Sequence, residues 1–376
     1  MSSSNPIVSI SNHADFQIPV FFPDDIKSSY LSQLKRHFKR IENFLNSCDA
    51  RNFEPSIKSD IVHRITNIQN SIIDVFKAYL DGHPSKAYSI FKDMLEIYQL
   101  REEINSLQQH KVNKSSFLFR IQEQYGKIPL KYSKKSGFLN YKMPADLFHP
   151  PFQRRRSVGT NRFSISGYPC LYLSESLLTS YSECFPEKKK TEKNMFHAIC
   201  FKNLRPLYFI DLSDNKLKPD PKLFSGILPK GAHPVDTTDA LDHLGVYQLI
   251  LASHTKIKYK PTYKEEKYYF KAEYIIPQLL LQWLKQEGYA IDGIRYRSCT
   301  GTKRFPGKAC HYNYVLPVQS NLTRGFCPTL ASLFIPSKLY NHLSKKKIKN
   351  VSLFLKNVSL QLKKTDFRFS KSIVFK

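Results

Sequence analysis

Residues Arg162-Phe-Ser-Ile-Ser-Gly-Tyr-Pro-Cys-Leu-Tyr-Leu-Ser-Glu-Ser-Leu-Leu-Thr-Ser-Tyr-Ser-Glu183 lead from a polar loop through a turn into a short apolar run and then a helix-compatible segment. Gly167-Tyr-Pro marks the turn. Cys170–Ser174 has the length and composition of a strand. Ser174 or Ser176 can cap a helix over Ser176–Phe185, with Glu183 about two turns along it. Arg162, Tyr172 and Glu183 therefore come from a loop, a strand and a helix, a layout that can gather a cation, an aromatic ring and a carboxylate around one cleft. Just upstream, Phe148-His-Pro-Pro-Phe-Gln-Arg-Arg-Arg156 makes the loop strongly basic.

Away from this stretch the chain changes character. From about Asp24 to Gln124, apolar residues recur three or four apart, the spacing of amphipathic helices. The first helix is expected near Asp25 to Leu45 and the second near Ile57 to Leu80, where Asp81-Gly82-His83-Pro84 stops it. The third starts near Ser85 and runs toward Leu107. Three such stripes suit a small antiparallel bundle. No Arg is followed by His one turn later in this region, so it reads as a scaffold or regulatory module and not as a helical nuclease. From about Lys127, prolines and strand-like runs follow: Ala198–Phe201, Leu207–Leu212, Tyr247–Ala252 and Tyr312–Pro317, with a second helix candidate at Ile276–Glu287. The fold class is thus α+β, with a helical N-terminal domain at 1–125, a mixed α/β domain at 126–330 and a basic C-terminal extension at 331–376. That extension reads as extra strands or a basic flap.

Several separated blocks resemble the RES-domain family, named for its recurring Arg, Glu and Ser. They are Arg162 to Ser174, Glu183 eleven residues beyond Tyr172, Glu273-Tyr-Ile-Ile-Pro-Gln-Leu-Leu-Leu-Gln, Asp292-Gly-Ile-Arg-Tyr-Arg-Ser298 and the following Asn313-Tyr-Val-Leu-Pro. The resemblance covers roughly residues 140–320. It implies a fold similar to ADP-ribosyltransferases and an enzyme that releases nicotinamide from NAD, with inorganic phosphate or water as acceptor. NAD is then the substrate and no separate cofactor is needed. It also implies a growth-arresting toxin or phage-defence effector with an antidote protein as partner. The matching residues are Arg162, Tyr172, Glu183 and Ser298, with Arg155 a further basic position.

The chemistry agrees with that set. Breaking a ribosyl bond to a cationic pyridinium builds positive charge on the sugar, as in glycoside hydrolysis. A carboxylate such as Glu183 stabilises it. Nicotinamide leaves neutral, so no general acid is required. A guanidinium fork suits a diphosphate better than an ammonium, which favours Arg162, then Arg155 or Arg156. Tyr172 offers a ring or a hydroxyl, and Ser298 a hydrogen bond to a carboxamide or phosphate. Each has a plainer reading: Arg162 as a loop charge, Tyr172 as core, Glu183 as a solvated or ion-paired carboxylate, and Ser298 as one of several nearby hydroxyls. His149 and His311 border the blocks and read as structural. Gly301-Thr-Lys-Arg-Phe-Pro-Gly-Lys308 lacks the Ser or Thr that a phosphate loop places after its Lys.

Composition limits the remaining classes. The chain has 376 residues, 41% of them hydrophobic, with 27 Phe and 22 Tyr, which describes a packed protein of about two domains. The net charge of +27 favours an anionic partner, from nucleic acid to a dinucleotide. Much of the excess lies in runs such as Lys188–Lys190 and Lys345–Lys347, the usual composition of solvated faces. The rival readings are an ADP-ribosyltransferase acting on a macromolecule, which needs the same bond cleavage, and a non-catalytic nucleic-acid-binding protein. Seven cysteines without a Cys-x-x-Cys pair fit neither a disulfide framework nor a paired-cysteine metal site. No secretory pattern and no long apolar run is visible, so a cytoplasmic protein without membrane attachment is expected.

Overall fold

Leu34, Phe38, Ile41 and Leu45 recur three and four apart and are all buried on one side of a helix over Tyr30–Ser47 in a computed structural model of the protein. The structure describes residues 14–23, 29–47, 55–106, 108–123, 144–185, 196–213, 234–258, 270–288, 290–299, 311–342 and 351–364. In chain order the elements are β1 (Val20–Pro23), α1 (Tyr30–Ser47), α2 (Pro55–Leu80), α3 (Pro84–Ile97), α4 (Leu100–Ser106), β2 (Gln108–Val112), β3 (Phe117–Glu123), β4 (Cys170–Ser174), α5 (Leu177–Cys184), β5 (Phe196–Asn203), β6 (Leu207–Asp211), α6 (Pro234–Ser253), β7 (Thr255–Lys258), α7 (Ile275–Gln286), β8 (Gly293–Arg297), β9 (Tyr312–Pro317), α8 (Pro328–Leu333), β10 (Phe334–Pro336), β11 (Tyr340–His342) and α9 (Val351–Lys363). The protein is thus mixed α and β. Two compact units share the chain: residues 1–109, 160–165 and 210–290 form the first, and 110–159, 166–209 and 291–376 the second.

The first unit is mainly helical. On α2, Ile61, Ile65, Ile68, Ile72 and Phe76 make the buried stripe that their spacing predicts. The third expected helix is broken in two. Gln99 takes φ 53°, a left-handed conformation that interrupts the helical run between α3 and α4. The run Tyr247–Ala252, expected as a strand, instead lies in α6. Tyr247, Gln248, Leu249, Ile250, Leu251 and Ala252 are all buried, and an element buried all round shows no periodicity by which a short apolar run declares itself helix or strand. Gln69 of α2 donates to Gln248 of α6 at 2.9 Å, satisfying two amides in this interior. Strands β1 and β7 pair in parallel, Val20 with Thr255.

The second unit is built on a sheet of order β10-β5-β3-β4-β9-β8-β6-β2, with β11 also pairing β5. Strands β2 and β3 fall in the region whose spacing predicts helix. Leu118 and the alternating Phe119 and Ile121 fill opposite faces of the sheet, a period of two that the seven-residue β3 carries too briefly to stand out beside the long helices. One face packs Leu118, Leu171, Leu173, Ile199, Phe201 and Leu316 into the larger core. On the other face, Phe119, Ile121, Phe196 and Ala198 meet Leu177, Tyr181 and Phe185 of the α5 segment and Val358 and Leu362 of α9. The C-terminal extension, expected as extra strands or a basic flap, carries β10 and β11 and then α9, on which Val358 and Leu362, one turn apart, give an apolar side. Gly293 has no alternative at the head of β8, because a Cβ there would lie 2.0 Å from the Val315 carbonyl oxygen.

His149 has a structural role in this unit. It is 0% exposed, and Nδ1 lies 2.8 Å from the Pro150 carbonyl, to which it donates, while Nε2 accepts the Cys327 amide at 2.9 Å. Burial pushes its pKa down to about 4, with the Pro150 carbonyl opposing and Arg120 reinforcing the shift. A histidine held neutral in the folded state leaves the unfolded chain to take up the proton first. Stability contributed by His149 is therefore complete above its unfolded pKa near 6.5 and falls as pH drops toward 4. Urea unfolding of the second unit should lose about 2 kcal/mol between pH 7 and pH 5 from this residue. The His149→Gln variant should flatten that slope; an unchanged slope would refute the assignment.

Candidate active site

Helix α5 positions Glu183, and its first turn positions α5. Ser176 sits in an extended conformation at the N-cap and its hydroxyl accepts the Thr179 amide at 3.1 Å. The other cap candidate, Ser174, donates instead to Asn313 Oδ1 at 2.7 Å. Leu177 and Tyr181 turn into the apolar cluster beneath the helix. Thr179 and Glu183, also one turn apart, share a different side. The Thr179 hydroxyl lies 3.2 Å from His311 Nδ1.

Glu183 and Ser298, 115 residues apart, are brought into contact: the Ser298 hydroxyl donates to Glu183 Oε1 at 2.5 Å. Asn313 Nδ2 donates to the same oxygen at 2.7 Å. Because the Ser174 hydroxyl engages Asn313 Oδ1, the amide must turn its NH₂ toward Glu183. Ser298 is 0%, Asn313 3% and Ser174 4% exposed, whereas Glu183 is exposed to solvent. Among the described residues, Oε2 of Glu183 takes no hydrogen bond. One carboxylate oxygen is thus held by two buried donors, and the other is open.

The sheet register explains the grouping. Tyr172 pairs with Val315, Ser174 with Asn313, and Asn313 with Tyr296. With side chains alternating along each strand, Tyr172, Ser174, Asn313 and Tyr296 share one face, and Ser298 continues it just past β8. Leu171 and Leu173 point into the larger core on the other face. Tyr172 is half-buried and is set apart from that core.

The arginines are placed differently. Arg162 belongs to the first unit and is 8% exposed. Its Nη1 donates to the Ser253 carbonyl at 2.8 Å and the Thr255 carbonyl at 3.0 Å, and its guanidinium lies 5.0 Å from the Tyr274 ring centre. These carbonyls close the C-terminal end of α6, where a cation is favoured. Arg155, in the second unit, reaches the Gly167 carbonyl at 3.4 Å and Asn321 Oδ1 at 3.3 Å over the Phe152 ring. The Gly301–Lys308 string and the two lysine runs lie outside the described residues.

Two residues escaped the sequence reading. Asn313 heads the strand-like run Asn313-Tyr-Val-Leu-Pro, and a polar amide entering an apolar run is the available signal. Arg120 lies in Phe117-Leu-Phe-Arg-Ile, inside the region expected to be helical, where a charge within a short apolar run is the same kind of signal. Arg120 Nη1 is buried with no hydrogen-bond partner among the described residues. Burial pushes its pKa down, while Cys184, beside Glu183, and Tyr172 pull it back up. Arg120 thus lies within electrostatic reach of both, in the same unit as Glu183.

No family model matches the chain. The chain is similar to a Bacillus subtilis (strain 168) protein named "Putative toxin YopC", with 29% identity over 297 residues. The match takes in 74% of this chain and 59% of that protein, so the chain spans well under two thirds of its relative's length. Among solved structures, the M. tuberculosis MbcT-MbcA toxin-antitoxin complex aligns over 69% of this chain and 97% of that one, at 9% identity and a TM-score of 0.31. Among the described residues, no helix is long and apolar enough to cross a membrane.

Proposed function

We propose that this chain cleaves the nicotinamide–ribose bond of NAD, with inorganic phosphate or water as acceptor, and that it acts as a toxin. The observation that carries the reading is the Glu183 carboxylate, anchored through one oxygen by Ser298 and Asn313 and open at the other. In the reaction the ribosyl C1′–N bond breaks and its electron pair passes to the pyridinium nitrogen, so nicotinamide departs neutral. The positive charge left on the ribose faces the open oxygen of Glu183. An acceptor oxygen then attacks C1′, giving a ribosyl phosphate, or ADP-ribose and a proton when the acceptor is water.

A carboxylate works here only if it is aimed before the charge develops, and two buried donors on one oxygen provide that aim. Arg120 supplies the anion-binding guanidinium of the second unit, since its Nη1 is not committed elsewhere among the described residues. Arg162, by contrast, already serves two main-chain carbonyls. Tyr172 offers its ring or hydroxyl from the face that carries the network. The resemblance to RES-domain proteins supports Glu183, Tyr172 and Ser298, names Arg162 and Arg155 as the basic positions where the packing favours Arg120, and adds a fold similar to ADP-ribosyltransferases, an antidote protein as partner, and no cofactor beyond the dinucleotide substrate. The name of the Bacillus subtilis relative supports the toxin role.

The test is nicotinamide release from NAD by the purified full chain, with and without inorganic phosphate. Release is expected, and its dependence on phosphate names the acceptor. A folded protein that releases no more nicotinamide than its Glu183→Gln variant under either condition would end the reading.

A further inference from the structure

The side of α5 that faces β3 carries a device not used in the chemistry above. Strand β3 pairs with β5 along its whole length, Phe117–Lys202 through Glu123–Phe196. Toward β4 it has one register pair, Phe119 with Ser174. Beyond that point the inner edge of β3 exposes main-chain groups that need partners, since a buried amide or carbonyl left unpaired is costly. Helix α5 provides them from side chains. Ser180 Oγ accepts the Ile121 amide at 2.8 Å, and the Cys184 thiol donates to the Ile121 carbonyl at 3.0 Å.

We propose that Ser180 and Cys184 are positioning residues that set the rotation of α5 about its own axis and thereby aim Glu183 at Ser298 and Asn313; the consequence for catalysis rests on the function proposed above. Ser180 and Cys184 are four apart and form one stripe. Thr179 and Glu183, also four apart, form the neighbouring stripe, about 100° around the helix. Leu177 and Tyr181 hold the helix by apolar contact, which resists separation but is not directional. The paired bonds to one residue of β3 are directional. A carboxylate on a helix stands roughly 5–6 Å from the axis, so a turn of about 20° would carry it about 2 Å. That displacement exceeds what the contacts of 2.5 Å and 2.7 Å to Glu183 can absorb. The stripe also places Cys184, a half-buried thiol, in a purely structural hydrogen bond beside the proposed catalytic carboxylate.

The test uses the full chain with Ser180→Ala/Cys184→Ala, and Cys184→Ser as the conservative change that keeps a donor. Two measurements are made: kcat and KM for nicotinamide release per folded molecule, and the NMR signals of the Asn313 side-chain amide, referenced to Glu183→Ala. The double variant should lose at least about 10-fold in kcat with KM within about threefold, as expected when a catalytic group is misplaced by an ångström or more. Its Asn313 signals should move toward those of Glu183→Ala, and Cys184→Ser should retain the wild-type signals and most of kcat. Wild-type signals and kcat in the double variant would overturn the proposal. If the double variant does not fold, Cys184→Ala alone decides: a partial move of the Asn313 signals supports the proposal and unchanged signals overturn it. Should the wild type release no nicotinamide, the function proposed above fails, while the amide signals still judge the aiming of Glu183.

Discussion

The Glu183→Gln variant is expected to release nicotinamide on the order of 10³-fold more slowly than the wild type, with KM for NAD changed by less than about threefold. Glutamine keeps the size of the side chain and an oxygen that can still accept from Ser298 and Asn313. Helix α5 keeps its cap and its apolar side, so the variant should melt close to the wild type. What disappears is the negative charge facing the ribose as its positive charge develops. A preorganised charge aimed at the developing cation contributes about 3–4 kcal/mol to the transition state, which sets the size of the effect. Because that charge appears only as the bond breaks, the loss falls on kcat. A variant that keeps more than a tenth of the wild-type kcat would show that Glu183 does not perform this task. A large rise in KM at unchanged kcat would make it a substrate-binding residue instead.

Arg120→Met should weaken NAD binding by about 100-fold, read as a rise in KM, and should leave the melting temperature equal to or above that of the wild type. The two halves of this prediction share one cause. A buried guanidinium nitrogen without a partner among the described residues is a cost to the folded protein. Burial already pushes the pKa of Arg120 down. Replacing it with an apolar chain of similar length removes that cost. A group kept despite such a cost gains its partner when an anion binds, and a charge-assisted bond to a phosphate is then worth about 2–3 kcal/mol. Arg120→Lys should recover only part of the loss, because an ammonium lacks the planar fork. KM titrations and thermal melts on the same preparations decide the matter. A fall of many degrees in melting temperature with KM unchanged would make Arg120 a structural residue.

The contrast between Arg120 and Arg162 shows where sequence reading stops. Arg162 lies in a polar loop beside a turn, with the composition of a site. Whether a guanidinium is available to a ligand depends on what it already touches. In the folded chain Arg162 holds carbonyls contributed by residues more than ninety positions away. Arg120 lies in a short apolar run inside a region whose overall spacing is helical. That its Nη1 has no partner among the described residues is a property of the packed sheet, and no local pattern records it.

The fold divides along the same line. Cys170–Ser174, Tyr312–Pro317 and the helix following Ser176 were legible because each is a short element with its turn or cap chemistry inside it. The stripes of α1 and α2 were legible because a one-sided helix writes its period into the chain. The contact between Glu183 and Ser298 was anticipated only as a grouping carried by family resemblance. By itself, then, the sequence determined which segments could be helix or strand and which side chains carried suitable chemistry. Only the tertiary structure decided that α6 buries Tyr247–Ala252 as a helix, that Asn313 joins Ser298 on one oxygen of Glu183, and that Arg120 keeps a buried donor unpaired among the described residues. Spacing is a local property of the chain, whereas burial and hydrogen-bond satisfaction depend on residues that folding brings from far away.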